Sequence, residues 1–121
     1  EIVSPVTTNT TDNATDYSAK VGLMYASDYG FAAAPSAWTT ILNNYDGKAI
    51  KSVNWMYMGL VEWTISRNAD DAYYVFHVHN VGYVYSNGAN SALALRPVFY
   101  LSSSVNYVSG SGTAADPISI N

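Results

Sequence analysis

The sequence predicts a single α+β domain in which one or two short helices precede an antiparallel β-sheet. Three observations carry that expectation. Helix signals are confined to the first half, where Ser27-Asp28 precedes Tyr29, Phe31 and Ala32–Ala34. From Trp55 onward the chain becomes a series of short β-rich runs separated by Asn, Gly and Ser. Its 121 residues fit one domain with one sizeable core.

Taken in order, residues 1–18 are rich in Thr and Asn and read as an extended lead-in or linker, with a short strand at Ile2–Val3. Asn9-Thr10-Thr11 and Asn13-Ala14-Thr15 match the N-glycosylation pattern, which any Thr/Asn-rich linker produces by chance. Residues 19–121 are expected to form the domain. Lys20–Met24 reads as a strand. Ser27 is expected to cap a helix, Asp28 to complement the positive end of its dipole and Pro35 to stop it. Ser36–Leu42 suggests a second helical turn, and Asn43–Gly47 a loop.

Gly59–Ile65 is β-rich. Tyr74, Phe76 and Val78 alternate with Val75, His77 and His79, the period of a half-buried strand. Asn80-Val81-Gly82 reads as a hairpin turn, Tyr83–Tyr85 as the return strand and Ser86–Ser91 as a loop. Leu95–Leu101 is expected to be a strand at an edge or bulge, because Pro97 cannot donate to a ladder. Val105–Val108 and Pro117–Ile120, joined through Gly110-Ser111-Gly112, read as a closing hairpin.

Composition narrows the function. Only 12% of residues are charged, about half the usual quarter, while 49% are hydrophobic. Solubility therefore rests on Asn, Ser, Thr and Tyr, as on many secreted and cell-surface domains. Five scattered basic residues and a net charge of −4 argue against nucleic acid as a partner. The absence of Cys excludes disulfides, thiolate metal sites and Cys nucleophiles. No apolar run approaches a membrane span and no signal peptide is visible, so no direct membrane insertion is expected of this chain. It begins at Glu1 rather than Met, as expected of a processed piece of something longer.

The stretch from Asn68 to Ala94 contains no Lys, Arg, Glu, Gln, Met or Trp. It is rich in Tyr, Asn, Ser, Gly, Asp and His, the palette of antibody-like paratopes. Tyr supplies rigid contact area and Asn, Ser and Gly supply adaptable hydrogen bonds. The candidate ligand surface is Asn68, Asp70, Asp71, Tyr73, His77, His79, Asn80, Tyr83, Tyr85, Ser86, Asn87, Asn90 and Ser91. The alternative is a Tyr-rich hairpin of an ordinary antiparallel sheet.

Chemistry finds little support. His77 and His79 share a strand face and, with Asp70 or Asp71, offer an incomplete metal set, so no metal or cofactor is expected. No nucleophile elbow, phosphate loop or zinc motif occurs. Glu62 stands without a second carboxylate to make an acid–base pair. Arg96, in a hydrophobic strand, needs a carboxylate partner, and Glu62 and Asp28 are the candidates for an architectural ion pair.

The segments VGLMYASDYGFAA, NWMYMGLVEWTISRN and ALRPVFYLSSSVNYVSGSGTAADPISI resemble a family of bacterial surface domains from gut-dwelling Firmicutes. In that family a prepilin-like helix precedes a C-type-lectin-like domain. The WTISR, LRPVFYL and GTAADP motifs are also similar to the formylglycine-generating-enzyme-like branch of that fold. The resemblance covers roughly Val21 to Ile120. It implies a C-type-lectin-like fold with a helix at Ser27–Ala34 and a twisted antiparallel sheet, displayed extracellularly on a bacterial surface or pilus.

Some relatives are targets of diversity-generating retroelements, which randomise adenines in a C-terminal variable region. An AAC codon so treated can give Asn, Ser, Asp, Tyr, His, Gly, Ala or Val, but not Lys, Glu, Gln, Met or Trp. The Asn68–Ala94 stretch fits that restricted alphabet. There are departures. The Glu-Pro-Asn, Gln-Pro-Asp and Trp-Asn-Asp signatures of calcium-dependent lectins are absent, and so are the cysteines of formylglycine-generating enzymes. The prepilin helix is missing as well.

The expected function is therefore a non-catalytic adhesion or recognition module for an extracellular protein or glycan. The alternative is a structural pilin-like subunit that associates with other pilin subunits without a dedicated ligand. An enzyme would require paired titratable groups in a pocket, for which the chain offers few charges.

Overall fold

A computed structural model of the chain describes residues 18–39, 41–45 and 48–121. The lead-in with its Ile2–Val3 strand and both glycosylation patterns falls outside the described residues, apart from Ser18. So do Asp46 and Gly47 of the expected loop. The α+β class is what the chain adopts, with two short helices and antiparallel strand pairs.

Strand β1 (Gly22–Leu23) leads into helix α1 (Ala26–Phe31). The helix starts two residues earlier than its Ser-Asp signal implied. Tyr25 occupies the N-cap, and its backbone N–H donates to Oδ2 of Asp28 at 2.8 Å, so Asp28 serves the helix start by reaching back. Ser27 lies inside the helix. Pro35 does not stop α1, which has already ended at Ala32; it opens a 3-10 turn, Pro35–Ala37, a position where its missing N–H costs nothing. A second 3-10 turn covers Leu42–Asn44, and helix α2 (Lys48–Val53) follows, an element the sequence pattern had not announced.

The central sheet has the order β2-β3-β4, all antiparallel, from β2 (Glu62–Arg67), β3 (Tyr74–Val78) and β4 (Val84–Gly88). The expected Ser86–Ser91 loop is shorter than its composition implied, because Ser86–Gly88 complete β4. The expected Leu95–Leu101 strand shrinks to β5 (Pro97–Val98), which pairs with β1 through Gly22↔Val98 and Leu23↔Pro97. Phe99, Tyr100 and Leu101 run on exposed. The closing hairpin pairs β6 (Tyr107–Ser109) with β7 (Ser119–Ile120).

The core lies between the helices and one face of the central sheet. Met24, Tyr29, Ala32, Ala33, Tyr45, Ile50, Met56, Val78 and Val84 form it. Its buried hydroxyls bond to backbone carbonyls. The Tyr45 hydroxyl donates to the Gly30 carbonyl at 2.9 Å, and Thr64 Oγ1 donates to the Phe76 carbonyl at 2.8 Å. Arg96 pairs with Glu62 at 2.6 Å, and Asp28, the other candidate partner, is occupied at the helix start. Among the described residues no helix is long and apolar enough to cross a membrane.

Candidate functional site

The β3–β4 hairpin is fixed at its turn by three interactions. The His79 N–H donates to the Tyr83 carbonyl, and the Gly82 N–H to the His79 carbonyl, each at 2.8 Å. Gly82 adopts φ +104°, which an L side chain rarely does, and a Cβ there would stand 2.9 Å from Cγ2 of Ile50. The buried Tyr29 hydroxyl donates to the Gly82 carbonyl at 2.9 Å. Burial, the main cause, pushes the pKa of that hydroxyl well above its ordinary 10, so it stays a donor. Tyr57 adds a hydrogen bond from its hydroxyl to the Asn80 carbonyl at 2.6 Å.

The register, running from Val78↔Val84 to Tyr74↔Gly88, sorts the side chains by parity. Phe76, Val78, Val84 and Ser86 share the face turned to the core. Trp63, His77, His79, Tyr83, Tyr85 and Asn87 share the other. Their rings form a row. Trp63 meets His77 edge-on at 6.1 Å, and His77 lies 6.2 Å from His79. His79 stacks on Tyr83 at 4.5 Å, and Tyr83 meets Tyr85 edge-on at 6.4 Å.

The row does not expose all its members. Tyr85 is 54% exposed, whereas His77 is only 4% exposed and cannot offer its ring to a ligand. The clean alternation expected along β3 fails for the same reason, since His77 and Val78 are both buried. His79 and Tyr83 are half-buried.

The far end of the hairpin gathers a second group. Asn68 Oδ1 accepts the Asp70 N–H and Asp71 Oδ1 accepts the Tyr73 N–H, both at 2.8 Å. Asn68, half-buried, and Asp71, exposed, thus both commit a side-chain oxygen to the turn. Tyr73 lays its ring over Gly88, where a Cβ would come within 2.5 Å of Cε1, and meets Tyr74 edge-on at 5.5 Å. Asp70, Asn87 and Asn90 are exposed, and Ser91 is half-buried. Asn87 Oδ1 accepts the Gly88 N–H at 2.8 Å. Asn80 sits at the opposite end, about 17 Å away along a five-residue strand. The predicted residues therefore divide into a ring row, an Asn/Tyr end and two outliers, Asn80 at the turn and Ser86 on the face turned to the core.

A groove of about 530 Å³ runs beside β4. Tyr85 and Ser86 line it, together with residues that composition did not single out: Ile41, Leu42 and Asn43 of the 3-10 turn, Phe76, and Ser66 and Arg67 of β2. Its apolar floor and few polar rim groups suit a ligand with an apolar body. No local signal marks Leu42-Asn43 as a wall, because only the tertiary fold brings that turn against β4. Among the described residues no group of three His, Cys, Asp or Glu could hold a metal, and the His77/His79 pair is not joined by Asp70 or Asp71.

Burial, followed by the neighbouring His79, holds the His77 pKa below its ordinary 6.5, and among the described residues Nδ1 of His77 has no hydrogen-bond partner. The folded state therefore resists protonation that the unfolded chain accepts. Stability is retained above pH 6.5 and falls as pH drops toward the lowered folded value, with a slope of at most about 1.4 kcal/mol per pH unit. His77→Phe is expected to flatten that acid limb in urea unfolding between pH 7 and 5. Parallel limbs for wild type and variant would refute this assignment.

Comparison with protein-family models, with curated protein sequences and with solved structures found no match to this chain.

Proposed function

We propose that the chain is a non-catalytic recognition module, displayed extracellularly on a bacterial surface or pilus, that binds a protein or glycan through the β3–β4 hairpin. The observation that carries this reading is the exposed part of the hairpin. There Tyr73, Tyr85, Asn87 and Asn90 stand in solvent on a backbone tied down by Tyr29 and Tyr57. A rigid scaffold presenting aromatic and amide side chains lowers the entropy cost of binding. The groove beside β4 extends this surface with an apolar floor.

The antiparallel pairing of β1 with β5, which closes the domain around its long middle segment, supports the finer reading of a C-type-lectin-like fold. The restricted alphabet of residues 68–94 supports a variable region diversified by a retroelement. Tyr85 is the primary contact, and His77, opposite it on the same face but buried under its neighbours, supports the row.

The test uses the purified chain on arrays of immobilised glycans and extracellular proteins. Wild type is expected to retain a ligand that Tyr85→Ala loses by at least about tenfold, as for a central aromatic contact. Tyr107→Ala, at a still more exposed tyrosine on β6, is expected to leave retention unchanged. Equal losses in both variants, or no retained ligand, would overturn the proposal. Loss of self-assembly in Tyr85→Ala without any ligand would instead favour the pilin-like structural subunit.

A further inference from the structure

A second cleft, of about 430 Å³, shares no residue with the groove beside β4. Its walls are the rings of Phe31, Trp55, Phe99 and Tyr100. Trp55 is 81% and Tyr100 90% exposed, and among the described residues none of the four rings packs on another of the four. Phe31 meets Trp38, outside the cleft lining, edge-on at 5.1 Å, so Trp55 and Tyr100 are the rings most open to an occupant. The sulfur-bearing side chains of Met24 and Met56 lie at the floor.

The one charged side chain in the lining is the carboxylate of Asp28. Its Oδ2 accepts the Tyr25 N–H, which leaves Oδ1 for another partner. Arg96 approaches the same floor, touching the Met56 carbonyl and the Met24 sulfur, but its charge is matched by Glu62 at 2.6 Å. The unmatched charge at the cleft is negative. The occupant that complements it is a cation.

The shortage of acceptors decides which cation. A primary ammonium carries three N–H donors and needs three acceptors once it leaves water. Apart from Asp28, the Tyr100 hydroxyl is the only side-chain oxygen in the lining. A quaternary ammonium donates no hydrogen bond, and its methyl groups pack against aromatic faces that attract its charge. We propose that this cleft binds a quaternary ammonium head group, with Trp55 and Tyr100 as aromatic walls and Asp28 as counter-ion.

The probes are choline and its uncharged isostere 3,3-dimethylbutan-1-ol, titrated into the whole chain while the Trp indole resonances are followed. Choline is expected to saturate, and the isostere to bind roughly tenfold more weakly, since shape is kept and the cation–π attraction is lost. Trp55→Ala is expected to weaken choline by roughly 3- to 30-fold. Asp28→Asn is expected to weaken it as well while keeping the fold, because the amide oxygen still accepts the Tyr25 N–H. Equal affinity for choline and the isostere would overturn the proposal. So would unchanged choline binding in both variants. Concentration-dependent dimerisation that Trp55→Ala abolishes, without choline saturation, would assign the cleft to a second copy of the chain instead.

Discussion

Arg96→Ala is expected to destabilise the fold by about 3–5 kcal/mol at neutral pH, the usual cost of stripping one partner from a buried ion pair. Glu62 is 1% exposed, and Arg96 Nη2 lies 2.6 Å from its Oε1. The same guanidinium donates to the Met56 carbonyl at 2.9 Å and approaches Met24 Sδ at 3.4 Å. It therefore joins β2, the segment after α2 and the chain leaving β1. Without it Glu62 is a buried carboxylate with no counter-charge.

The cost should depend on pH in a definite direction. Burial already holds the Glu62 pKa above its ordinary 4.5 despite the opposing pull of Arg96. Removing Arg96 removes that pull, so the folded value rises further while the unfolded value stays. A raised carboxylate pKa means stability falls as pH climbs above 4.5 toward the folded value. Arg96→Ala should therefore lose more stability at pH 7 than at pH 5 in urea unfolding. The double variant Glu62→Leu with Arg96→Met should recover much of the loss, since it leaves no buried charge. A penalty for Arg96→Ala below about 1 kcal/mol, or one that does not change with pH, would contradict a buried pair of this kind.

Asn54→Ala is expected to cost about 2–4 kcal/mol, from two backbone groups each left without a partner. Asn54 is 4% exposed. Its Nδ2 donates to the Tyr29 carbonyl of α1 at 2.7 Å, and its Oδ1 accepts the Met56 N–H at 2.9 Å. One side chain thus closes the gap between α1 and the segment after α2. Asn54→Asp sharpens the test. It keeps the acceptor for Met56 but turns an oxygen toward the Tyr29 carbonyl, so it should be at least as damaging as Ala at pH 7 and milder in acid. Thermal unfolding of the three proteins at pH 7 and pH 5 decides this, and an Asp variant as stable as wild type at pH 7 would sink it.

What could be read from the residues depended on how local the cause was. The hairpin turn at Asn80–Gly82 was legible because turn chemistry is local, and the β-rich run Gly59–Ile65 located β2 in part, the strand itself starting at Glu62 and running two residues further, to Arg67. The Glu62–Arg96 pair was legible from a different rule, that a charge in a hydrophobic strand needs its opposite. The extent of Leu95–Leu101 was not. Pro97 withholds a donor, and β1, the neighbour it pairs with, is only two residues long, so the ladder stops at Val98. Helix α2 carried no start signal comparable to Ser27-Asp28.

The site divides along the same line. Exposure of Tyr85 and Asn90 follows from strand parity and loop chemistry. Burial of His77 does not, because it depends on Trp63 from β2 and on His79 closing over the same face. The apolar wall of the groove from Ile41 and Leu42 is likewise set by a contact remote in sequence. Asn54 carries no local signal of its role, and only the path of α1 gives its amide a purpose.

The two-residue pairing of β1 with β5 has a mechanical consequence. Gly22 and Leu23 enter the domain at the point where Pro97 and Val98 leave it, and the core is folded from the chain between them. Tension applied through the chain outside that clasp meets β1 and β5 before it reaches the central sheet. Met24 and Ala94, beside the clasp, are hydrogen-bonded to Ile65 and Trp63 of β2, so load passes into the first strand of the sheet before it reaches the hairpin with its row of rings.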